Sequence, residues 1–228
     1  MTHTQDISMM ERLQLLPLFQ GMAESDMNWV VEKLRFDFQK LPEGRYIVMQ
    51  DDFCDNLIFL LNGEVCMETQ NPPETYRFLE KLMVPCVLQP EVLFGPRTRY
   101  THSFRTTAET HLLKVNKQEF WAFLIDNEVF RLNFINMLSA KAQNAEKALW
   151  KPAGGTLEQR LIRFLLQLCT KPTGEKILKI KMEDLAWELN ETRLNVSKTL
   201  NKLQKQELVC LKRQAIEIPQ MEKLNQLL

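Results

Sequence analysis

The stretch from Met182 to Ile218, MEDLAWELNETRLNVSKTLNKLQKQELVCLKRQAIEI, decides how this chain is read. Leu185, Ala186 and Leu189 recur at helical spacing and form the inner face of one short helix. Asn190 follows, and asparagine tolerates the left-handed backbone that a tight helix–helix turn requires. Thr192 then offers a hydroxyl cap to a second helix, whose inner face is Val196, Leu200 and Leu203. An early alanine, a turn residue tolerant of positive φ and a β-branched residue early in the second helix together give helix-turn-helix spacing. Two short apolar runs, LVCL and AIEI, are joined by KRQ and read as a β-wing. The solvent face of the second helix carries Thr192, Arg193, Asn195, Ser197, Lys198, Asn201, Lys202 and Lys205, and the wing adds Lys212 and Arg213. Six Lys or Arg and one acid, Glu207, lie between 192 and 213. Such a face suits double-stranded DNA: cations neutralise phosphates, while Arg and Asn can grip guanine and adenine with two hydrogen bonds each.

Upstream of this stretch, TLEQ at 156–159 has the form of a capping box, in which Thr156 and Gln159 satisfy each other's backbone. The helix it opens is expected to bury Leu157, Leu161, Phe164, Leu165 and Leu168, and ILKI at 177–180 reads as a short strand. KPAGG at 151–155 is a break. Before it, residues 116–150 show sustained helical periodicity. Ile135, Leu138, Ala142, Ala145 and Leu149 form a 3–4–3–4 seam of coiled-coil type, with Phe134 beside it. Small residues at 142 and 145 would let two helices approach closely, so the seam is expected to join two copies of the chain.

From about Phe36 to Val115 short apolar runs alternate with turn residues. YIVMQ (46–50), LIFLLNGEVCMET (57–69), YRFLEKLMV (76–84) and THLLKV (110–115) read as strands, and LPEGR, DDFCDN, LNG and QNPPE as turns. This spacing predicts a barrel or jelly roll. A helical segment precedes it, with Ser25 and Asp26 as expected caps for the helix holding Trp29, Val30 and Leu34. The fold class expected is therefore α+β: a cupin-like β-roll at residues 1–125 with flanking helices, a long dimerisation helix and hinge at 126–151, and a winged helix-turn-helix at 152–228.

Composition agrees. The chain is 45% hydrophobic and 25% charged, which suits an ordinary globular protein rather than a disordered or membrane-embedded one. No apolar run approaches the roughly 18 residues of a membrane span, and no secretory signal opens the sequence, so a cytoplasmic location without membrane association is expected. The formal net charge of zero hides an asymmetry: from Lys151 onward 14 basic residues face 9 acidic ones, and the preceding part is acidic. A basic last part points to a polyanionic partner. Cys54, Cys66, Cys86, Cys169 and Cys210 are far apart with no C-x-x-C pair, so free thiols are expected and no zinc ribbon or iron–sulfur cluster.

In order and in motif, the chain resembles the Crp/Fnr family of bacterial transcription regulators. LPEGRYIVMQDDFCDNLIFLLNGEVCME is similar to the family's opening roll strands, with Gly44 and Gly63 at turn glycines. DLAWELNETRLNVSKTLNKLQKQELV is similar to its helix-turn-helix, with Arg193 at the recognition-helix arginine, Ser197 at a small position and Lys198 where arginine is usual. Leu194 departs from the glutamate common at its position, so the family's familiar base preference does not carry over. The resemblance implies a homodimer that reads a two-fold-related DNA site and contacts RNA polymerase. It also implies a sensory roll acting through the hinge at Pro152–Gly155.

The family's cyclic-nucleotide cassette runs Gly-Glu, short helix, Arg-Ser/Thr-Ala. Here Gly95 precedes Pro96, and alignment on THSFRTTAET puts Thr101, His102 and Ser103 at the last three positions. The carboxylate and the aligned arginine are both missing, so cAMP and cGMP are not expected to bind and no cofactor is assigned. Gly95, Arg97, Arg99, Thr101, His102 and Ser103 mark the effector region. An unidentified anion held by Arg97, Arg99 or Arg105, or no ligand at all, remain open. Haem through His102 or His111 is disfavoured, because a lone histidine in a strand region is more often structural. A cupin-type metalloenzyme is disfavoured because His3, His102 and His111 cannot converge, so no metal and no enzymatic activity are expected. Two alternatives stand beside the DNA-binding regulator: an effector-binding or protein-interaction module keeping a vestigial winged helix, and a cyclic-nucleotide-responsive activator.

Overall fold

Apolar runs and turn residues shape both parts of the molecule, seen in a computed structural model that describes residues 9–71, 74–149 and 154–228. His3, Pro152 of the expected hinge and the side chain of Leu149 lie outside the described residues. In chain order the elements are α1 (Met9–Gln14), α2 (Glu24–Lys33), β1 (Asp37–Leu41), β2 (Tyr46–Val48), β3 (Asn56–Asn62), β4 (Val65–Gln70), β5 (Tyr76–Lys81), β6 (Cys86–Leu88), β7 (Ser103–Thr106) and β8 (Thr110–Asn116). There follow α3 (Lys117–Asp126), α4 (Glu128–Leu149), α5 (Leu157–Leu168), β9 (Lys176–Ile180), α6 (Met182–Glu188), α7 (Arg193–Lys205), β10 (Cys210–Lys212), β11 (Ala215–Ile218) and α8 (Met221–Asn225). Among the described residues no helix is long and apolar enough to cross a membrane. The chain divides into two compact units, residues 1–65 with 82–147 and residues 66–81 with 148–228.

The first unit is the β-roll. LIFLL makes β3 buried along most of its length, as befits a central strand, and its sheet runs β1-β8-β3-β6, while β2 pairs with β7. Gly63 turns the chain out of β3 at φ +104°, and a Cβ there would lie 2.5 Å from Thr110 Oγ1, so only glycine fits. Phe19, Phe120 and Phe130 meet edge-to-face in the core, and Phe59 packs tilted against Phe19.

One expectation is corrected here. α2 starts at Glu24 on the backbone of Ala23, which makes no side-chain cap, so Ser25 and Asp26 fall inside its first turn instead of capping it. The helical run divides at Asn127, next to the boundary expected at 126: the Asn127 N–H closes α3 on Phe123 O, and its side chain accepts from Phe130 N to open α4. Phe134 is mostly buried against Phe94 and Phe120 in its own unit.

The second unit is the winged helix, with one addition. Its core joins Leu161, Leu165, Leu178, Leu185, Val196 and Leu200 to Phe78 of the β4–β5 hairpin. β5 pairs antiparallel with β9 from Tyr76↔Ile180 to Glu80↔Lys176, extending the wing sheet in the order β10-β11-β9-β5-β4. Tyr76 meets Phe164 edge-on at 5.6 Å. Glu80 and Lys176 are 3% and 2% exposed and form an ion pair at 3.0 Å. The same carboxylate accepts from the backbone N–H groups of Thr170 and Lys171, and the ammonium donates to Thr173 O. By contacts within the chain, the 66–81 hairpin groups with residues 148–228.

Candidate nucleic-acid interface

The helix-turn-helix is built by local rules. Leu185, Ala186 and Leu189 are buried, and Asn190 takes φ +45° while donating to Trp187 O. The Thr192 side chain accepts from Asn195 N to cap α7. Glu191, which the sequence reading did not single out, organises the turn. Its Oε1 accepts from Thr192 N and Asn195 Nδ2, each at 3.0 Å, and its Oε2 from Arg160 Nη2 at 3.0 Å. Arg160 on α5 also donates to Leu189 O at 2.8 Å. The Thr192 backbone N–H, then the Asn195 side chain, then Arg160 hold the Glu191 carboxyl below its usual range. The inverted charge order, an acid just before a capped helix and an arginine a helix away, was a signal in the sequence, but only the fold brings the two together.

α7 buries Val196, Leu200 and Leu203 completely. Residues 194, 198, 201 and 205 follow i, i+4, i+7, i+11 spacing and share the opposite stripe. All four are exposed, so Leu194, Lys198, Asn201 and Lys205 form the outward face. Arg193 stands beside this stripe, paired with Glu183 at 2.8 Å, both side chains more than 60% exposed. β10 and β11 are joined at Arg213–Gln214, with Gln214 at φ +56°, and Lys212 and Arg213 are exposed on the wing. A concavity of about 290 Å³ between the start of α7 and the wing is lined by Arg193, Glu183, Lys181, Lys212 and Gln214. Other candidates are engaged inside the domain. Thr192 is a cap, Asn195 is held by Glu191, Ser197 is half-buried and accepts from Asn201, and Lys202 pairs with Glu158 at 2.5 Å.

The effector region is rearranged relative to the sequence alignment. A single short 3-10 turn, Pro90–Val92, precedes Gly95, and the residue leading into it is Gln89, in the left-handed conformation at φ +35°. The short helix of the cassette pattern therefore follows Gln89–Pro90 and not Gly95–Pro96. The Gln89 side chain is buried, accepts from Thr101 N at 3.0 Å and His102 N at 3.3 Å, and donates to Thr101 Oγ1. It thus occupies two consecutive backbone donors of the kind an anion would use. Ser103 Oγ accepts from Gln50 N. Arg99 turns outward, donates to Asp51 O and stacks 3.7 Å over Phe53, and Arg97 and Gly95 are exposed. Tyr100 points inward, its hydroxyl donating to Asn56 O and kept neutral by burial. His102 sits edge-on to Phe104, and His111 lies 3.6 Å from Glu109 on the surface. Among the described residues none of the five cysteines forms a disulfide, and no group of three or more His, Cys, Asp or Glu could hold a metal.

A winged helix-turn-helix and a cyclic-nucleotide-binding-type roll in one chain define the class of the molecule as a transcription regulator. Comparison with known proteins agrees. Residues 159–227 match the Crp-like helix-turn-helix domain, and residues 38–127 match the cyclic nucleotide-binding domain. The structure is similar to the catabolite activator protein of Thermus thermophilus, at TM-score 0.52 and 19% identity over 92% of this chain and 97% of that one. It is also similar to CLP of Xanthomonas campestris, a c-di-GMP-responsive global regulator, at TM-score 0.50 and 15% identity over 81% of this chain and 94% of that one. No curated protein sequence matches. The chain belongs to the Crp/Fnr family of transcription regulators.

Proposed function

We propose that this protein is a homodimeric, sequence-specific regulator that reads a two-fold-related DNA site, and that its roll does not bind cAMP. The observation that carries the DNA reading is the exposed α7 face of Lys198, Asn201 and Lys205, set beside Arg193 and the wing cations Lys212 and Arg213. Recognition helices present their first turns to the major groove, and wing cations reach the backbone. Selection of bound fragments from genomic DNA by the full-length protein, followed by gel shift, tests it. Specific, salt-sensitive binding is expected, and binding that stayed non-specific throughout would overturn it. Lys212→Ala is expected to weaken all sequences alike and lower the salt slope by about one per protomer.

Dimerisation is supported by the unpartnered apolar side chains of α4. Val129, Leu132 and Ile135 are 45%, 56% and 51% exposed, and Ala142 and Ala145 continue the small-residue face. An apolar groove of about 330 Å³ lined by Phe94, Trp121, Ile125, Ile135 and Leu138 lies beside them. Apolar surface of this kind marks an association site. Contact with RNA polymerase and action in the cytoplasm are proposed on family grounds.

The reading of the roll rests on Gln89 and Pro90. The glutamine side chain already satisfies the Thr101 and His102 amides, and Pro90 supplies neither carboxylate nor N–H at the next position. Calorimetric titration with cAMP and with cGMP is expected to give no saturable heat; saturable binding of either would favour the nucleotide-responsive activator instead.

A further inference from the structure

We propose that Leu194 reads the methyl group of a thymine in each half-site, making it a specificity-determining residue of the interface; this rests on the DNA-binding reading above. Leu194 is 63% exposed at the first turn of α7, although Val196, Leu200 and Leu203 already provide that helix's whole inner face. One exposed leucine on a surface needs no explanation. Its position gives it meaning: it heads the outward stripe that continues through Lys198, Asn201 and Lys205, and it is the apolar member of that stripe. Its neighbours are drawn aside, Arg193 toward Glu183 and Asn195 toward Glu191, so leucine is the foremost side chain of the turn that enters the groove first.

The edges of the base pairs in the major groove offer one apolar group, the C5 methyl of thymine. An isobutyl side chain has no donor or acceptor, so it cannot satisfy the amino group of cytosine or adenine and would leave it without water. Covering one methyl is worth about a threefold to fivefold gain in affinity per half-site, and about tenfold or more when both protomers make the contact.

The test uses full-length protein. A binding sequence is selected from a random duplex library, and affinities are measured on that duplex with thymine or deoxyuridine at each T position. Deoxyuridine lacks only the methyl. At one symmetric pair of positions, uridine is expected to weaken the native protein about tenfold and to leave Leu194→Ala unchanged, and Leu194→Met is expected to retain the thymine preference. Equal affinity for thymine and uridine at every position would overturn the proposal while leaving DNA binding in place, and would assign Leu194, with the 80%-exposed Trp187, to contact with another protein. Failure to select any sequence would overturn the DNA reading itself.

Discussion

Glu80→Ala is expected to cost about 3–5 kcal/mol of stability and to lower the thermal midpoint by roughly 6–20 °C. The substitution removes the partner of a Lys176 ammonium that is 2% exposed, and it also strips the Thr170 and Lys171 amides of their acceptor. An uncompensated buried charge is far more damaging than the loss of the pair's own attraction. Two controls separate these effects. Lys176→Met alone leaves the carboxylate with its two amide donors and is expected to cost less. The double change Glu80→Leu with Lys176→Met replaces the pair by apolar contact beside Phe78 and is expected to recover much of the loss. Thermal unfolding of the four proteins by circular dichroism reads all three comparisons. If Glu80→Ala unfolded like the native chain, the pairing of β5 with β9 would not be a buried, stabilising contact.

That pair also marks where the sequence could and could not be read. The helix-turn-helix was legible because its signals are local: helical spacing on both sides, an asparagine able to take positive φ at 190, a hydroxyl cap at 192 and a reciprocal capping box at 156–159. The pairing of β5 with β9 was not, because strand partners separated by about a hundred residues leave no local mark. A trace was present all the same. Alternation in YRFLEK puts Glu80 on the same face as Phe78, and alternation in KILKI puts Lys176 on the face of Leu178. Opposite charges at inward positions of two strands are costly unless they meet. The effector loop misled for a different reason. The cassette pattern begins with glycine, so Gly95 drew the alignment, whereas the short 3-10 turn follows Gln89, a non-glycine residue at φ +35° fixed there by its own side-chain hydrogen bonds.

Arg193→Ala is expected to lower affinity for the selected site by about 1–3 kcal/mol per half-site, roughly fivefold to over a hundredfold each, with a smaller loss in non-specific binding from the missing cation. In the free protein Arg193 pairs with Glu183, but both groups are largely exposed, and such pairs are worth about 1 kcal/mol or less. The guanidinium can therefore leave Glu183 for a base at little cost, and the planar fork gains two hydrogen bonds to the acceptor edge of guanine. Arg193→Lys separates charge from geometry. It keeps the cation, so non-specific affinity and salt slope should hold near native values, while discrimination at the guanine should fall as it does in the alanine variant. Glu183→Gln tests the same competition from the other side: it frees the arginine and removes a negative charge from the concavity shared with Lys212, so specific binding should tighten. Fluorescence anisotropy on the selected duplex and on one with the guanine replaced would measure all of these. If lysine restored both affinity and sequence preference, Arg193 would be acting as a phosphate contact, and base selection would have to come from Leu194 and Asn201 on the neighbouring stripe.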